Sequence, residues 1–122
     1  MSKSGRGAGS NMIYNDQNVF AKILRKEIPC EKILENNFIF SFNDVSPKAK
    51  IHVLVIPKSP YIDVYDFNKN ASKEEVAGFW NGVNETIEKL QIENSGFQLK
   101  IHKGETGGQE VFHFHVHILS ND

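Results

Sequence analysis

Three histidines, His113, His115 and His117, stand at alternate positions within residues 111–119. Phe112, Phe114, Val116 and Ile118 sit between and beside them. In an extended strand, side chains two apart lie on one face. The spacing therefore predicts a single strand with three imidazoles on one side and those four apolar residues toward a core. A helix, turning about 100° per residue, would scatter the imidazoles. Shared zinc binding by all three fails on reach. At about 3.3 Å per residue, His113 and His117 start about 13 Å apart, too far for Zn–N bonds of about 2.0–2.1 Å. Two of them with an outside ligand would reach, but no cysteine cluster or evident carboxylate pair completes such a set. A purely structural row is a poor use of three imidazoles. Nucleophilic and acid–base chemistry fits best, because histidine titrates near neutrality and its two ring nitrogens can take different roles.

The segments around this face must position it. Directly before it, Lys103-Gly104-Glu105-Thr106-Gly107-Gly108-Gln109-Glu110 is rich in glycine. Alone it would be a turn; beside the imidazoles it is a candidate phosphate cradle, since glycines let backbone N–H groups approach an anion. Residues 50–56 form a near-continuous apolar run, the pattern of a strand buried on both faces, with the polar His52 inside it. His52 is either a satisfied core histidine or a fourth imidazole at the site. Residues 32–35 and 38–42 read as two further strands joined by a turn at Asn36-Asn37, and Asp44-Val45-Ser46-Pro47 as a loop. Val19, Phe20, Ile23 and Leu24 recur at helical spacing behind a cap at Asp16, and Pro29 stops that run. Ser72 with Glu75 three residues on fits a capping box. The long amphipathic helix behind it carries Val76, Phe79, Trp80, Val83, Ile87 and Leu90, and ends at Asn94-Ser95-Gly96. Residues 97–102 supply the remaining strand. The order predicts an α+β domain, an antiparallel five-stranded meander with two helices packed against it.

Composition narrows the function classes. One domain, residues 12–122, follows a Gly/Ser-rich stretch, residues 1–11, expected to be a disordered tail. The net charge of −1 argues against a nucleic-acid binder with a broad basic surface. No apolar run reaches the roughly 20 residues that cross a bilayer. Cys30 is the only cysteine, which excludes a disulfide framework and suits a reducing, cytoplasmic setting.

His113-Phe114-His115-Val116-His117-Ile118-Leu119 resembles the signature of the histidine triad (HIT) superfamily, histidines alternating with apolar residues. The segments at 19–29, at 42–47 with 52–58, and at 107–110 resemble successive parts of its Hint branch, so the likeness runs from about residue 14 to 119. It implies a HIT-like fold and a homodimer built through the long helix and the sheet, with Phe79 and Trp80 either contacts between copies or part of the monomer core. It also implies a hydrolase of purine nucleoside 5′-monophosphoramidates, derivatives of AMP or GMP, with no cofactor and no metal. By the same resemblance His115 is the nucleophile, and His113, His117 and His52 support it. Asp44 holds the ribose with Val45 beside the sugar. Phe20, Ile23, Ile28 and Leu54 line the base pocket, and Gly108, Gln109 and Glu110 hold phosphate oxygens. His102 stands where eukaryotic relatives usually have a nucleotide-contacting Asn, and Glu110 where they commonly have Ser. The short ending Ser120-Asn121-Asp122 lacks the tail that shapes the leaving-group side in many relatives. Rival readings are a dinucleoside polyphosphate hydrolase of the Fhit branch and a nucleotide-binding regulatory module. The Asp44-Val45-Ser46-Pro47 loop favours the Hint branch over the former.

Overall fold

The computed structural model describes residues 12–122; the expected tail lies outside them. Along the chain run α1 (Val19–Leu24), β1 (Lys32–Glu35), β2 (Ile39–Asn43), β3 (Ile51–Pro57), α2 (Val64–Asn70), α3 (Lys73–Lys89), β4 (Gln98–Lys100) and β5 (Val116–Ser120), with a short 3-10 turn at Glu105–Gly107 before β5. The five strands form one antiparallel sheet in the order β1-β2-β3-β5-β4. Only the first three strands form the expected meander. β5 inserts between β3 and β4, so β3, the strand richest in buried apolar residues, takes the centre, and the fully exposed β4 takes the edge.

Alternation along β3 and β5 divides the molecule in two. Val53, Val55, Val116 and Ile118 face α3 and join Ile39, Phe79, Val83 and Ile87 in the larger core. Leu54 and Ile56 face the other way and pack with Phe20, Ile23, Phe40 and Phe42, the core under α1. His52 and His117 share this second face. The two central strands thus have one dry face and one that opens onto a cleft.

α3 lies close on the sheet because Gly78 and Gly82 face it. A Cβ on Gly78 would overlap the Phe38 ring, and one on Gly82 would overlap the Ile39 side chain. Its start carries the expected capping box: Ser72 Oγ accepts from Glu75 N–H, and the Glu75 carboxylate accepts from Ser72 N–H. The helix stops earlier than expected, at Lys89, where Gln91 takes a positive φ of 61° in the manner of a left-handed C-terminal cap. α1 starts later than expected, with Asn18 rather than Asp16 as cap. α2 is a third helix, added to the expected two. Asp63 caps it by accepting from Asp66 N–H.

The histidine segment differs most from its expectation. Regular pairing begins only at Val116. Residues 111–115 enter the sheet as irregular backbone, anchored by Phe114, whose N–H donates to the Tyr61 carbonyl at 2.7 Å. Its ring stacks on Phe67 at 4.9 Å and lies 5.0 Å from Phe79. Phe112 stays outside both buried clusters, because the one-in, one-out alternation that would bury it needs a ladder that does not yet exist there.

Candidate active site

On the α1 side of the sheet lies a cleft of about 470 Å³, within the range of small-molecule sites. Phe20, Ile23, Ile28, Pro29, Cys30, Phe42 and Leu54 make its apolar end. At the other end the lining includes Asp44, Lys48, His52, Lys100, His102, Gly108, Glu110, His115 and His117. Val45 projects over the rim, 93% exposed.

The sheet brings His52 and His117 together. β3 and β5 pair with His117 opposite Leu54 and Leu119 opposite His52, so the two histidines are diagonal neighbours on one face. His52 Nε2 lies 2.9 Å from His117 Nδ1. The protein determines which atom carries each proton. Lys48 N–H donates to His52 Nδ1 at 3.0 Å, so that nitrogen is a lone pair. Burial keeps the His52 imidazole below its ordinary pKa, against the pull of Asp44. A neutral ring must then hold its hydrogen on Nε2 and donate it to His117 Nδ1. His117 is also neutral, its pKa pushed down to about 4 by burial and by the neighbouring imidazoles of His115, His52 and His102. Its hydrogen therefore sits on Nε2. Among the described residues that atom is the one buried side-chain polar group without a partner.

His115 is fixed by a different device. Its Nδ1 lies 2.7 Å from the His113 carbonyl oxygen. A carbonyl only accepts, so Nδ1 carries the hydrogen and Nε2 keeps its lone pair. Burial again lowers the pKa. The ring packs edge-on against Phe20 at 4.9 Å and lies 5.0 Å from that of His117. A lone pair and an unsatisfied N–H thus belong to adjacent imidazoles of one cleft.

His113 does not line the cleft. It is fully buried behind it, with Nε2 2.9 Å from the Pro57 carbonyl, and burial holds its pKa down to about 4. The expectation of three imidazoles on one open face is corrected to two: ahead of Val116 no ladder enforces the alternation, and His113 turns inward to the Pro57 carbonyl while His115 stays in the cleft. His102 joins the cleft from the segment after β4, its ring 5.1 Å from that of His117.

Gln109 is not brought to the cleft either. Its Nε2 donates to the carbonyls of Ile62 and Val111, and its Oε1 accepts from Gly104 N–H. Both amide hydrogens are engaged, so the side chain braces the glycine loop and has no donor left for a phosphate. The N–H groups of Gly107, Gly108 and Gln109 are taken up by the carbonyls of Gly104 and Glu105. The cradle expected from Gly108 therefore narrows to the Glu110 end of the loop. Gly108 instead provides the left-handed turn, at φ 89°.

Asp44 accepts from Ser46 N–H through Oδ1 at 2.8 Å and keeps Oδ2 3.4 Å from His52 Nε2. Ligand atoms of Asp44, His52 and His117 lie within 4.8 Å of one another, close enough in principle for a metal ion. The protonation pattern opposes it, because His52 would have to give up the Lys48 N–H to offer Nε2 as a ligand.

With this geometry established, comparison with known proteins places the chain. The family model described as HIT domain matches residues 25–122. The chain belongs to the HIT family. A protein of Helicobacter pylori described as an uncharacterized HIT-like protein is 49% identical over 105 residues, 86% of this chain and 97% of that protein. The purine nucleoside phosphoramidase of Escherichia coli K12 is 34% identical over 105 residues, 85% of this chain and 87% of that enzyme. Among solved structures, a HIT family hydrolase from Clostridium thermocellum superimposes with a TM-score of 0.80 at 30% identity, covering 88% of this chain and 93% of that one. These likenesses support a hydrolase of the HIT family acting on nucleotides. Among the described residues no helix is long and apolar enough to cross a membrane.

Proposed function

We propose that the protein binds purine nucleotides and hydrolyses the P–N bond of nucleoside 5′-monophosphoramidates through a nucleotidyl intermediate on His115. The observation that carries this reading is the pairing of a free Nε2 lone pair on His115 with an unsatisfied Nε2–H on His117. The E. coli phosphoramidase, 34% identical, supports the choice of leaving group.

The apolar end of the cleft suits a purine, with Phe20, Ile23, Ile28 and Leu54 against the base. Asp44 takes the ribose hydroxyls through its second carboxylate oxygen, beneath Val45. His115 Nε2 then attacks phosphorus. The P–N bond to the leaving amine breaks, and its electron pair departs with nitrogen. In the free site His117 is neutral. An anionic phosphoryl group beside it raises its proton affinity. In the complex the added proton enters at Nδ1, His52 moving its own hydrogen from Nε2 to Nδ1 and releasing the Lys48 N–H so that its Nε2 accepts from His117. His117 gives its Nε2–H to the departing amine. His52, behind Nδ1, stabilises that charge together with Asp44. Water next attacks phosphorus, the bond to His115 Nε2 breaks, and the proton of water passes to His117. Splitting the displacement in two is what a covalent intermediate contributes. The Glu110 N–H assists at the phosphate.

We also propose a homodimer, with a revised contact surface. Phe79 is completely buried in the core, whereas Trp80 is exposed on α3. Phe97, Leu99 and Ile101 are exposed at alternate positions along the open edge at β4, and a second copy would cover that edge by pairing with it.

The direct test incubates the protein with adenosine 5′-phosphoramidate and searches for an AMP-sized mass adduct. An adduct in the wild type that is absent from His115→Ala supports the reading. Turnover of a dinucleoside polyphosphate in preference to the phosphoramidate would move it to the other hydrolase class. AMP binding with no turnover of either would leave a nucleotide-binding module.

A further inference from the structure

One contact behind the cleft has no part in the chemistry above. The Tyr14 hydroxyl lies 2.7 Å from Nδ1 of His113, 99 positions along the chain. Its ring meets the imidazole edge-on, with centroids 5.7 Å apart. Tyr14 sits in the segment leading into α1, which is tied down where Arg25 Nη1 donates to the Asp16 carbonyl at 2.8 Å.

The direction of this hydrogen bond follows from the other end of the ring. His113 Nε2 faces the Pro57 carbonyl, which only accepts, so Nε2 carries the hydrogen. The buried ring is neutral, which leaves Nδ1 as a lone pair. The tyrosine hydroxyl must therefore be the donor. His113 is thus held at both nitrogens, by Tyr14 from the N-terminal segment and by Pro57 at the end of β3. Its backbone carbonyl is the group that receives His115 Nδ1–H. No strand ladder holds this stretch, since regular pairing starts at Val116.

We infer that Tyr14 is a positioning residue for His115: its hydroxyl locks His113 in the Nε2–H form, and the clamped His113 holds the carbonyl that keeps the His115 lone pair in the cleft. The functional side of this inference rests on the reading of His115 as nucleophile. Its structural side does not. Removing the hydroxyl leaves Nδ1 unpaired in a site that water does not reach, and the ring must tilt or change tautomer to recover a partner. Either movement displaces the carbonyl on which His115 depends, while Phe20, Ile23 and Asp44 stay in place to bind nucleotide.

Two measurements on wild type, Tyr14→Phe and Tyr61→Phe test this. Tyr61 serves as the control, because its hydroxyl donates to Glu75 on the far side of the sheet. In kinetics with adenosine 5′-phosphoramidate, Tyr14→Phe should lower kcat roughly tenfold, the scale of a small misplacement of a reacting group, with KM changed less than about twofold. Tyr61→Phe should leave kcat unchanged. In long-range proton–nitrogen NMR of the imidazoles, the wild type should show His113 protonated at Nε2 and hydrogen-bonded at Nδ1. Tyr14→Phe should move the His113 and His115 ring nitrogens and leave those of His52 largely in place. A wild-type spectrum with His113 protonated at Nδ1 overturns the inference at its first link, whatever the stability of the variant. Unchanged kcat and unchanged His115 nitrogens in Tyr14→Phe reduce Tyr14 to a packing brace and also overturn it. If the wild type turns over no phosphoramidate, the functional reading fails, and the spectra alone decide whether Tyr14 governs His113 and His115.

Discussion

The two halves of the histidine segment are held in place by different means. His117 sits on a regular strand, with a neighbour on each side of the sheet, and its ring is oriented across the ladder by His52. His113 and His115 precede the ladder. They are fixed by side chain to backbone bonds, by the Tyr14 hydroxyl and by the aromatic anchor of Phe114. A ladder sets a side chain's face and spacing but not the rotation of its ring. The irregular half specifies the ring and its tautomer, as an attacking lone pair requires.

His115→Ala removes the lone pair outright. It should lower turnover on the order of a thousandfold or more and abolish the adduct, while denaturant unfolding shows little change. Retained turnover would mean that the ladder half works alone. Phe114→Ala attacks the irregular half from behind. It should cost about 3–5 kcal/mol in stability by emptying a packed aromatic site, read in the midpoint of denaturant unfolding. In variant that remains folded, AMP binding should outlast turnover. His52→Leu attacks the ladder half, leaving His117 Nδ1 without its oriented donor. A roughly tenfold or greater loss of kcat is expected, with the AMP-sized adduct still forming, more slowly. An unchanged kcat would show that His117 needs no partner.

Acid should act on both halves together. His113 and His117 are depressed to about 4 and His115 is also lowered, all by burial first. The unfolded chain, with histidines near about 6.5, therefore binds protons before the folded one does. Their contribution to stability is complete above about pH 6.5 and declines as the pH falls toward about 4. The acid limb of kcat/KM should likewise lie below about 6.5. A half-point at or above that value would mean that His115 is not shielded. The smallest effect is expected from Gln109→Leu. It leaves Gly104 N–H and two carbonyls unpaired, costs about 1–3 kcal/mol, and weakens phosphate binding only through the loop's shape.

Much of this architecture was legible in local pattern. The capping box at Ser72, the doubly buried β3 and the alternation at 116–119 each carry their signal within a few residues. What escaped depends on distance along the chain. The insertion of β5 beside β3 is a pairing across some sixty residues, and no periodicity encodes it. Phe79 and Trp80 are adjacent at the same helix edge by spacing, yet one is sealed in the core and the other faces out. Gln109 carries the donors of a ligand contact, and its engagement with Ile62 and Val111 shows only in three dimensions. Tyr14 had no signal at all, being a single tyrosine ahead of a short helix.

The hydrogen bond from Lys48 N–H to His52 has an effect on the free energy of ligand binding. A backbone amide cannot surrender its proton, so the chain from His52 to His117 is closed at its inner end and open only to the cleft. At rest His52, His115 and His117 are neutral, so beyond the side chains of Lys48 and Lys100 in the cleft wall, any charge the imidazoles offer a phosphate comes from solvent as the ligand enters. Nucleotide binding should be coupled to proton uptake. Calorimetric enthalpies of AMP binding should accordingly differ between buffers in proportion to their ionisation enthalpies, and the apparent affinity should strengthen as the solution is made mildly acidic.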